Sequence, residues 1–497
     1  MKDGGEVRIM ATVETSADPA APDVPKSGQI QIYNTLSRQK EPFETIVPGE
    51  VRMYVCGVTP YDSAHIGHGM SMTTFDVIRR YLEYRGYTVR HIQNFTDIDD
   101  KIIARANAEH IDPNDLTERL IAEWLAETRA LNALPATHYP RATQEVGPII
   151  AMVEGLIERG HAYEVEGDVY FRVRSFPEYG KLSHRNIDDL LSGARIDVDE
   201  RKDDPLDFAL WKAAKPDEPS WESPWGAGRP GWHIECSAMS STYLDGQVDI
   251  HGGGADLIFP HHENEIAQSE AYLGVEPFAR YWVHNGLVRV GADKMSKSLG
   301  NFVRMREILD KGLGPAFRLM ILQSHYRVPL TYSEDGLLAA ERGLERLRAA
   351  AAEPDGANIE TGDDVTGAMA ALAHETRRRF EAAMDDDFNA PEAVAALFDL
   401  ARAINRERGS AGTNPDIEQA RATLIALAGV LGLSLDPVAV PGSNDAAPFI
   451  DLLLRVRQEL RQRREWALSD VIRDELAALE VVVEDTPAGA TWSRRRG

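Results

Sequence analysis

The stretch VRMYVCGVTPYDSAHIGHGMSMTTFDVIRRYLEYRGYTVRHIQN, residues 51–94, predicts a strand, a helix and a second strand. Residues 51–56 and residues 87–94 are short apolar runs of the kind that form buried strands. Between them, apolar residues recur at helical spacing from Ile66 to Tyr84, and Gly86 is typical of the position just beyond a helix. Because strands joined by a helix pair in parallel, we predict an α/β fold with a Rossmann-like parallel sheet.

Polar residues cluster where these strands end. In parallel sheets, ligands bind beyond the carboxyl ends of the strands, where helix N-termini direct amide groups at anions. Cys56, His65 and His68 fall at that edge, and so does FTDIDD, residues 95–100. The two histidines are three residues apart at a helix start, so both rings could face one phosphate. For His-x-x-His alone, local capping or packing is the commoner explanation.

The remaining sequence extends this pattern. We expect an insertion in the sheet domain at about 126–228, then a strand ending at His251, a glycine loop, and a helix from about His261. Residues 282–301 predict a short hairpin followed by an exposed polar loop, and the chain is helical after residue 330. The clearest linkers are residues 353–364 and 434–448.

Composition limits the function classes. The 497 residues are 43% hydrophobic and 27% charged, and no apolar run is long enough to span a membrane. The N-terminus resembles neither a signal nor a transit peptide, which by default indicates a cytoplasmic protein. Two cysteines give no disulfide framework and leave free thiols, a metal site or catalysis as alternatives.

The charge distribution leaves nucleic-acid binding open. A net charge of −25 argues against it for the chain as a whole. From residue 449 onward, however, nine arginines balance nine acidic residues. This neutral segment is either a solvated helix face or a local RNA-contacting patch.

Two short motifs lead to a known family. HIGH (residues 65–68) and KMSKS (residues 294–298), in this order on an α/β sheet, resemble the signatures of class I aminoacyl-tRNA synthetases. Further segments resemble the cysteinyl-tRNA synthetase family in particular, over about residues 30–492. These segments are YVCGVTPYD, NFTDIDDKI, GWHIECSAM, DIHGGGADLIFPHHENEIAQ and MDDDFNAPEA.

The resemblance implies one zinc ion per subunit, at the floor of the amino-acid pocket. Thiolate and imidazole are zinc ligands, and a histidine four residues before a glutamate shares its helix face. The choice of His261 over His262, and of Glu265 over Glu263, rests on the resemblance. Two ordinary buried cysteines are the alternative. The implied ligands are Cys56, Cys236, His261 and Glu265.

The resemblance also implies ATP, bound with Mg²⁺, as a substrate. Catalysis is expected from His65, His68, Lys294 and Lys297. Besides both histidines and Lys297, the ATP-binding residues would include Gly252, Gly253 and Gly254. Cysteine would contact Gly57, Thr96, Trp232 and Asp256. One departure from the family pattern follows HIGH, where Gly69-Met70-Ser71 lacks an expected basic residue.

The implied organisation and partners follow. We expect a disordered leader (1–28), a Rossmann-like catalytic domain (29–280), a KMSKS-bearing stem-contact region (281–340), a helical bundle (341–435), a linker (436–448) and an anticodon-binding region (449–497). The expected partners are tRNA(Cys), L-cysteine and ATP. No association with a membrane is expected, and the chain is expected to be a monomer. Trp466 and Trp492 could stack on unpaired bases, although core packing is the expectation for Trp466.

Two alternatives remain at this point. One is a mycothiol-pathway cysteine ligase, which would use the same adenylation site and zinc but couple cysteine to an amino sugar. The other is a silent paralogue that only binds RNA or a nucleotide. Intact HIGH and KMSKS motifs argue against the silent paralogue, and the long region after residue 330 argues against the ligase.

Overall fold

The computed structural model describes residues 30–186, 201–216, 218–291, 293–294, 302–352, 367–408, 415–436, 447–479, 481–486 and 489–494. The chain divides into two compact units, residues 1–435 and residues 436–497. The leader predicted for residues 1–28 lies outside the described residues. Within the described part of the chain, no helix is both long and apolar enough to cross a membrane.

The elements of the first unit follow in chain order. It begins with β1 (Gln31–Asn34), β2 (Gln39–Pro42), β3 (Glu50–Val58), α1 (Ile66–Tyr84) and β4 (Thr88–Phe95). Then come α2 (Asp100–Glu109), α3 (Pro113–Ala130), α4 (Val146–Glu158), β5 (Ala162–Val165), β6 (Asp168–Phe171), β7 (Phe208–Ala213) and β8 (Gly228–Pro230). The next elements are α5 (Trp232–Tyr243), β9 (Val248–Gly254), α6 (Glu263–Leu273), β10 (Ala279–Asn285), β11 (Val288–Val290) and β12 (Asp293–Lys294). The unit ends with α7 (Met305–Leu309), α8 (Gly314–Leu322), β13 (Leu330–Tyr332), α9 (Glu334–Ala351), α10 (Ala368–Asp385), α11 (Ala390–Arg408) and α12 (Pro415–Val430).

A four-stranded parallel sheet forms the centre of this unit. Its strand order is β10–β9–β3–β4, and Met53 of β3 lies opposite His91 of β4 and Ile250 of β9. The apolar run in β3 is buried along residues 53–56, as expected for a strand covered on both faces. The predicted α/β fold with a parallel sheet is confirmed.

Helix α1 begins at the HIGH motif. The His65 side chain accepts a hydrogen bond from the Gly67 backbone N–H at 3.1 Å, and the His68 ring accepts from the His65 N–H at 3.2 Å. These bonds satisfy two of the amide groups that every helix start leaves unpaired. Gly69 allows close packing, because a Cβ there would lie 2.5 Å from the Met305 sulfur of α7.

A second, antiparallel sheet occupies the predicted insertion. Its order is β5–β6–β7–β8, and helix α4 packs with it around a separate apolar core. That core includes Ile149, Phe171 and Trp211, and it extends to Ile234 of α5. The insertion therefore adjoins the helix that contains Cys236.

For residues 248–301 the predicted glycine loop is wrong, whereas the predicted helix and hairpin are present with different bounds. The glycines after His251 continue strand β9 and pair with β10, so they are not a loop. Helix α6 begins at Glu263, after a π-helical turn (Ile258–His262). Trp282 belongs to β10, and the hairpin that the sequence predicts is formed by β11 and β12 alone.

A buried arginine joins the helical region to the sheet domain. Arg318 of α8 donates to the carbonyl oxygens of Leu431 at 2.7 Å and Leu131 at 3.0 Å, and it pairs with Asp76 of α1. Leu431 follows α12, Leu131 follows α3, and Asp76 belongs to α1. One guanidinium thus fixes the HIGH helix relative to the bundle.

The MDDDFN segment provides a second junction at the end of α10. The Asp385 carboxylate accepts from the Tyr81 hydroxyl of α1 at 2.6 Å. The Asp387 carboxylate, which is buried, accepts from the Tyr326 hydroxyl and from Arg327, both at 2.7 Å. This motif is therefore explained by packing between the bundle and the sheet domain.

The second unit is small and has its own core. Its described elements are α13 (Ala447–Gln462), α14 (Trp466–Ala478), β14 (Val481–Thr486) and β15 (Gly489–Arg494). The strands form an antiparallel hairpin beside apolar residues such as Leu454 and Leu476. The expectation that Trp466 packs in a core is wrong, because its side chain is 55% exposed. Trp492 is the partly buried tryptophan, and its indole donates to Asp451 at 2.8 Å.

Candidate metal and adenylation site

Four side chains from three parts of the sequence meet at the carboxyl edge of the sheet. Cys56 is near the end of β3, Cys236 is in α5, His261 is in the π-helical turn, and Glu265 is in the first turn of α6. Their ligand atoms all lie within 4.8 Å of one another, and all four residues are buried. The structure thus brings together the four residues proposed as metal ligands, although the cysteines are 180 residues apart.

The distances within this cluster suit a metal ion. The Glu265 carboxylate lies 3.2 Å from the Cys56 sulfur and 3.0 Å from the His261 Nε2. Two sulfurs, one imidazole nitrogen and one carboxylate oxygen are the donor types of a tetrahedral zinc site. Such a concentration of buried polar groups is costly without a cation between them. The donor set therefore fits zinc.

A second donor set shares two of these residues. The ligand atoms of Cys56, His251, His262 and Glu265 also lie within 4.8 Å of one another. His251 Nε2 lies 3.1 Å from the Glu265 carboxylate. His262 is bonded in turn to His284, with 2.8 Å between ring nitrogens. The sequence analysis did not propose His251 as a ligand. Its position at the end of DIH, directly before the three glycines, could have indicated that role.

The electrostatics of the cluster favour charged ligands. Burial would raise the pKa of Glu265, but His251 and His261 hold it well below its usual value. Burial also raises the pKa of Cys236, yet hydrogen bonding from Cys56 and the nearby His261 bring it to about 6. Burial and the neighbouring Cys236 raise the pKa of Cys56. Burial would lower the pKa of His261, but Glu265 and Cys236 raise it to about 10. Metal binding would therefore release protons from both Cys56 and His261.

The residues proposed to contact cysteine differ in their exposure and in what fixes their positions. Trp232 stacks on the His261 ring with 4.2 Å between centroids and is 37% exposed, as a residue lining an open pocket would be. Gly57 is required sterically, because a Cβ there would lie 1.5 Å from the Asn94 carbonyl oxygen. Thr96 is buried beside Asn94, whose side-chain amide donates to its hydroxyl at 3.4 Å.

Asp256 departs from its expected setting. The family resemblance implies that it contacts cysteine, where it would balance the buried ammonium group, but it is exposed on a 3-10 turn (Ala255–Leu257). An exposed carboxylate is well solvated and interacts only weakly with a cation across water. The exposed position of Asp256 therefore does not by itself support a role in balancing a buried charge.

The nucleotide motifs are described only in part. The rings of His65 and His68 stack at the start of α1 with 3.8 Å between centroids. Gly252, Gly253 and Gly254 lie at the end of β9, at the same edge of the sheet. Of the KMSKS motif, only the backbone of Lys294 is described, in β12; Lys297 lies outside the described residues.

The comparisons with known proteins first define a class. Residues 42–342 match the family model for the tRNA synthetases class I (C) catalytic domain. A DALR domain matches residues 379–436, and the cysteinyl-tRNA ligase anticodon binding domain matches residues 443–492. A structure of Mycobacterium tuberculosis methionyl-tRNA synthetase with methionyl-adenylate shares the fold, with a TM-score of 0.54, 17% identity, and coverage of 82% of this chain and 94% of that chain. The family match over residues 42–342, together with the shared fold, thus defines a class I aminoacyl-tRNA synthetase.

Curated relatives narrow this class. A cysteine--tRNA ligase of Dehalococcoides mccartyi is 55% identical over 464 residues, which cover 93% of this chain and 99% of that protein. A cysteine--tRNA ligase of Moorella thermoacetica is 52% identical over 474 residues, with coverage of 93% and 99%. The chain belongs to the cysteinyl-tRNA synthetase family.

Proposed function

We propose that this chain ligates L-cysteine to tRNA(Cys) in an ATP-dependent reaction with a cysteinyl-adenylate intermediate. The observation that carries this proposal is the convergence of Cys56, Cys236, His261 and Glu265 at the sheet edge where α1 begins. That arrangement combines a site for sulfur with a site for phosphate. The family membership of the chain supports the same reaction.

We assign one zinc ion per chain to these four donors. When bound, zinc would supply a Lewis acid that takes the substrate as a thiolate, which serine's hydroxyl cannot match. Pocket shape alone separates such similar substrates by only about a hundredfold. The chain's own contribution is to hold the side chain of cysteine beside Trp232 and its backbone end near Gly57 and Thr96.

The HIGH histidines are suited to stabilise charge on the α-phosphate. Because the Nδ1 of each ring accepts a backbone N–H, each neutral ring carries its proton on Nε2. Each Nε2–H is then a donor for a phosphate oxygen as the cysteine carboxylate attacks phosphorus. We propose that Lys294 and Lys297 add positive charge, that residues 252–254 approach the adenosine, and that ATP binds with Mg²⁺.

The remaining regions would bind tRNA. We assign the anticodon to residues 449–497 and the tRNA stem to residues 281–340, in agreement with the anticodon-binding family match at residues 443–492. This match also argues against an amino-sugar ligase, which needs no anticodon-binding region. We propose a cytoplasmic enzyme that acts as a monomer.

The test is aminoacylation with purified protein, ATP, Mg²⁺, radiolabelled cysteine and a tRNA(Cys) transcript. We expect radiolabel in acid-precipitated tRNA when labelled cysteine is supplied. No such label should appear with labelled serine or with a tRNA that has another anticodon. Pyrophosphate exchange with cysteine but no transfer to tRNA would instead favour the amino-sugar ligase. No exchange at all would favour the silent paralogue.

A further inference from the structure

One buried amide contacts three parts of the proposed site, and neither the sequence motifs nor the comparisons give it a role. Asn94 lies near the end of β4, and its side chain is 1% exposed. Its Oδ1 accepts a hydrogen bond from the Gly57 N–H at 2.8 Å and lies 3.7 Å from the Cys236 sulfur. Its Nδ2 donates to the Thr96 hydroxyl at 3.4 Å.

The hydrogen-bond partners fix the orientation of this amide. The backbone N–H of Gly57 can only donate, so the atom facing it must be the oxygen. The nitrogen then faces Thr96, whose hydroxyl oxygen accepts. A flipped amide would place two donors against each other in a buried setting, at a cost comparable to a lost hydrogen bond.

The three contacts join the two ends of the pocket. Gly57 follows the proposed ligand Cys56, and Cys236 is a second proposed ligand. Thr96, like Gly57, is at the end proposed to hold the backbone of the cysteine substrate, which carries the ammonium group. The backbones are also close, since a Cβ on Gly57 would overlap the Asn94 carbonyl. One rigid group therefore sets the spacing between the sulfur end and the ammonium end of the pocket.

We propose that Asn94 is a positioning residue that sets the affinity of this site for cysteine by fixing Gly57 and Thr96 relative to the metal ligands. This inference rests on the proposed function and adds a residue to it. Asn94 is not among the four metal ligands, so its loss should leave one zinc per chain at saturating zinc, although loss of the 3.7 Å contact with Cys236 weakens the zinc affinity. The described hydrogen-bond partners of its side chain are Gly57, Thr96 and Cys236 rather than the HIGH histidines, so its loss should also spare ATP binding.

The experiment compares Asn94→Ala with the wild type and with Gln93→Ala, a control on the same strand whose side chain is partly exposed. Pyrophosphate exchange gives KM and kcat for cysteine and for ATP, and elemental analysis gives zinc per chain. For Asn94→Ala we expect a KM for cysteine about tenfold higher, as for one or two lost hydrogen bonds, with unchanged zinc and unchanged KM for ATP. Gln93→Ala should match the wild type.

A second variant protects the test against misfolding. Asn94→Asp keeps an oxygen that can accept from the Gly57 N–H and loses the amide that donates to the Thr96 hydroxyl, so its KM for cysteine should lie between those of the wild type and Asn94→Ala, while unchanged zinc content and KM for ATP show that both variants are folded. An unchanged KM for cysteine, or equal shifts in both KM values, would overturn the role of Asn94. A wild-type chain that forms no adenylate with cysteine would instead refute the proposed function itself.

Discussion

Substitution of one proposed ligand, Cys236→Ser, tests the metal assignment. Serine nearly preserves the volume of this buried side chain, but it replaces a thiolate by a hydroxyl that stays protonated near neutral pH. Four-ligand zinc sites in small domains bind with apparent free energies of about 10–16 kcal/mol. An equal share for each ligand is about 2.5–4 kcal/mol, which corresponds to a zinc affinity about seventyfold to a thousandfold lower.

The assay is zinc content by elemental analysis after dialysis against a graded series of chelator-buffered zinc concentrations. Cys236→Ser should lose its zinc at concentrations that leave the wild type loaded, and its preference for cysteine over serine in pyrophosphate exchange should fall. The control is Ser240→Ala, one turn further along α5, which removes a buried hydroxyl bonded to the Ser237 carbonyl at 3.1 Å. It should retain zinc. Unchanged zinc affinity in Cys236→Ser would refute the ligand assignment.

Three further substitutions test other parts of the structure. Trp232→Ala removes the ring stacked on His261 and should raise the KM for cysteine about five- to tenfold at constant KM for ATP, in pyrophosphate exchange; equal changes in both would contradict a role at the pocket. Burial and the neighbouring Glu123 carboxylate raise the pKa of Glu127 to about 7, above its usual value of 4.5. Glu127 therefore ionises more easily in the unfolded chain than in the folded chain, so the free energy of unfolding falls as the pH rises from about 4.5 through 7. Glu127→Gln should consequently raise the free energy of unfolding by about 1–2 kcal/mol near pH 8 and leave it unchanged near pH 4, as urea titrations would show; equal effects at both pH values would contradict this. Arg318→Met removes one of the two guanidinium groups paired with the buried Asp76, leaving Arg80 at 2.8 Å, and should lower the free energy of unfolding by about 2–3 kcal/mol, measured in the same way; a loss below about 1 kcal/mol would show that the Arg318–Asp76 pair is not structurally important.

The first half of the sheet domain could be predicted because its signals are local. Strand β3, helix α1 and strand β4 follow from the period of their apolar residues, and α1 begins at Ile66 and ends at Tyr84 as predicted. Strand β9 could not be predicted to its end, because glycines have no side chains to show which face is buried. The structure shows why residue 252 is a glycine, because a Cβ there would lie 2.2 Å from the Phe75 ring.

The site depends on contacts that spacing alone does not encode. Cys56 and Cys236 belong to distant segments, so the family resemblance, and no local pattern, identified them as partners. Asn94 shows the limit of sequence reasoning most clearly, because its three contacts exist only once β3, β4 and α5 have packed. The exposure of Trp466 was mispredicted for a related reason: the second unit is too small to bury all of its apolar residues.

Sulfur coordination by the metal is the central claim, and X-ray absorption at the zinc edge tests it most directly. The zinc-loaded enzyme should show two sulfur neighbours at about 2.3 Å, from Cys56 and Cys236, together with lighter nitrogen and oxygen neighbours. Saturating cysteine should add a third sulfur, whereas serine should add none. A sulfur count that does not change when cysteine binds would contradict the selection of substrate by its thiolate.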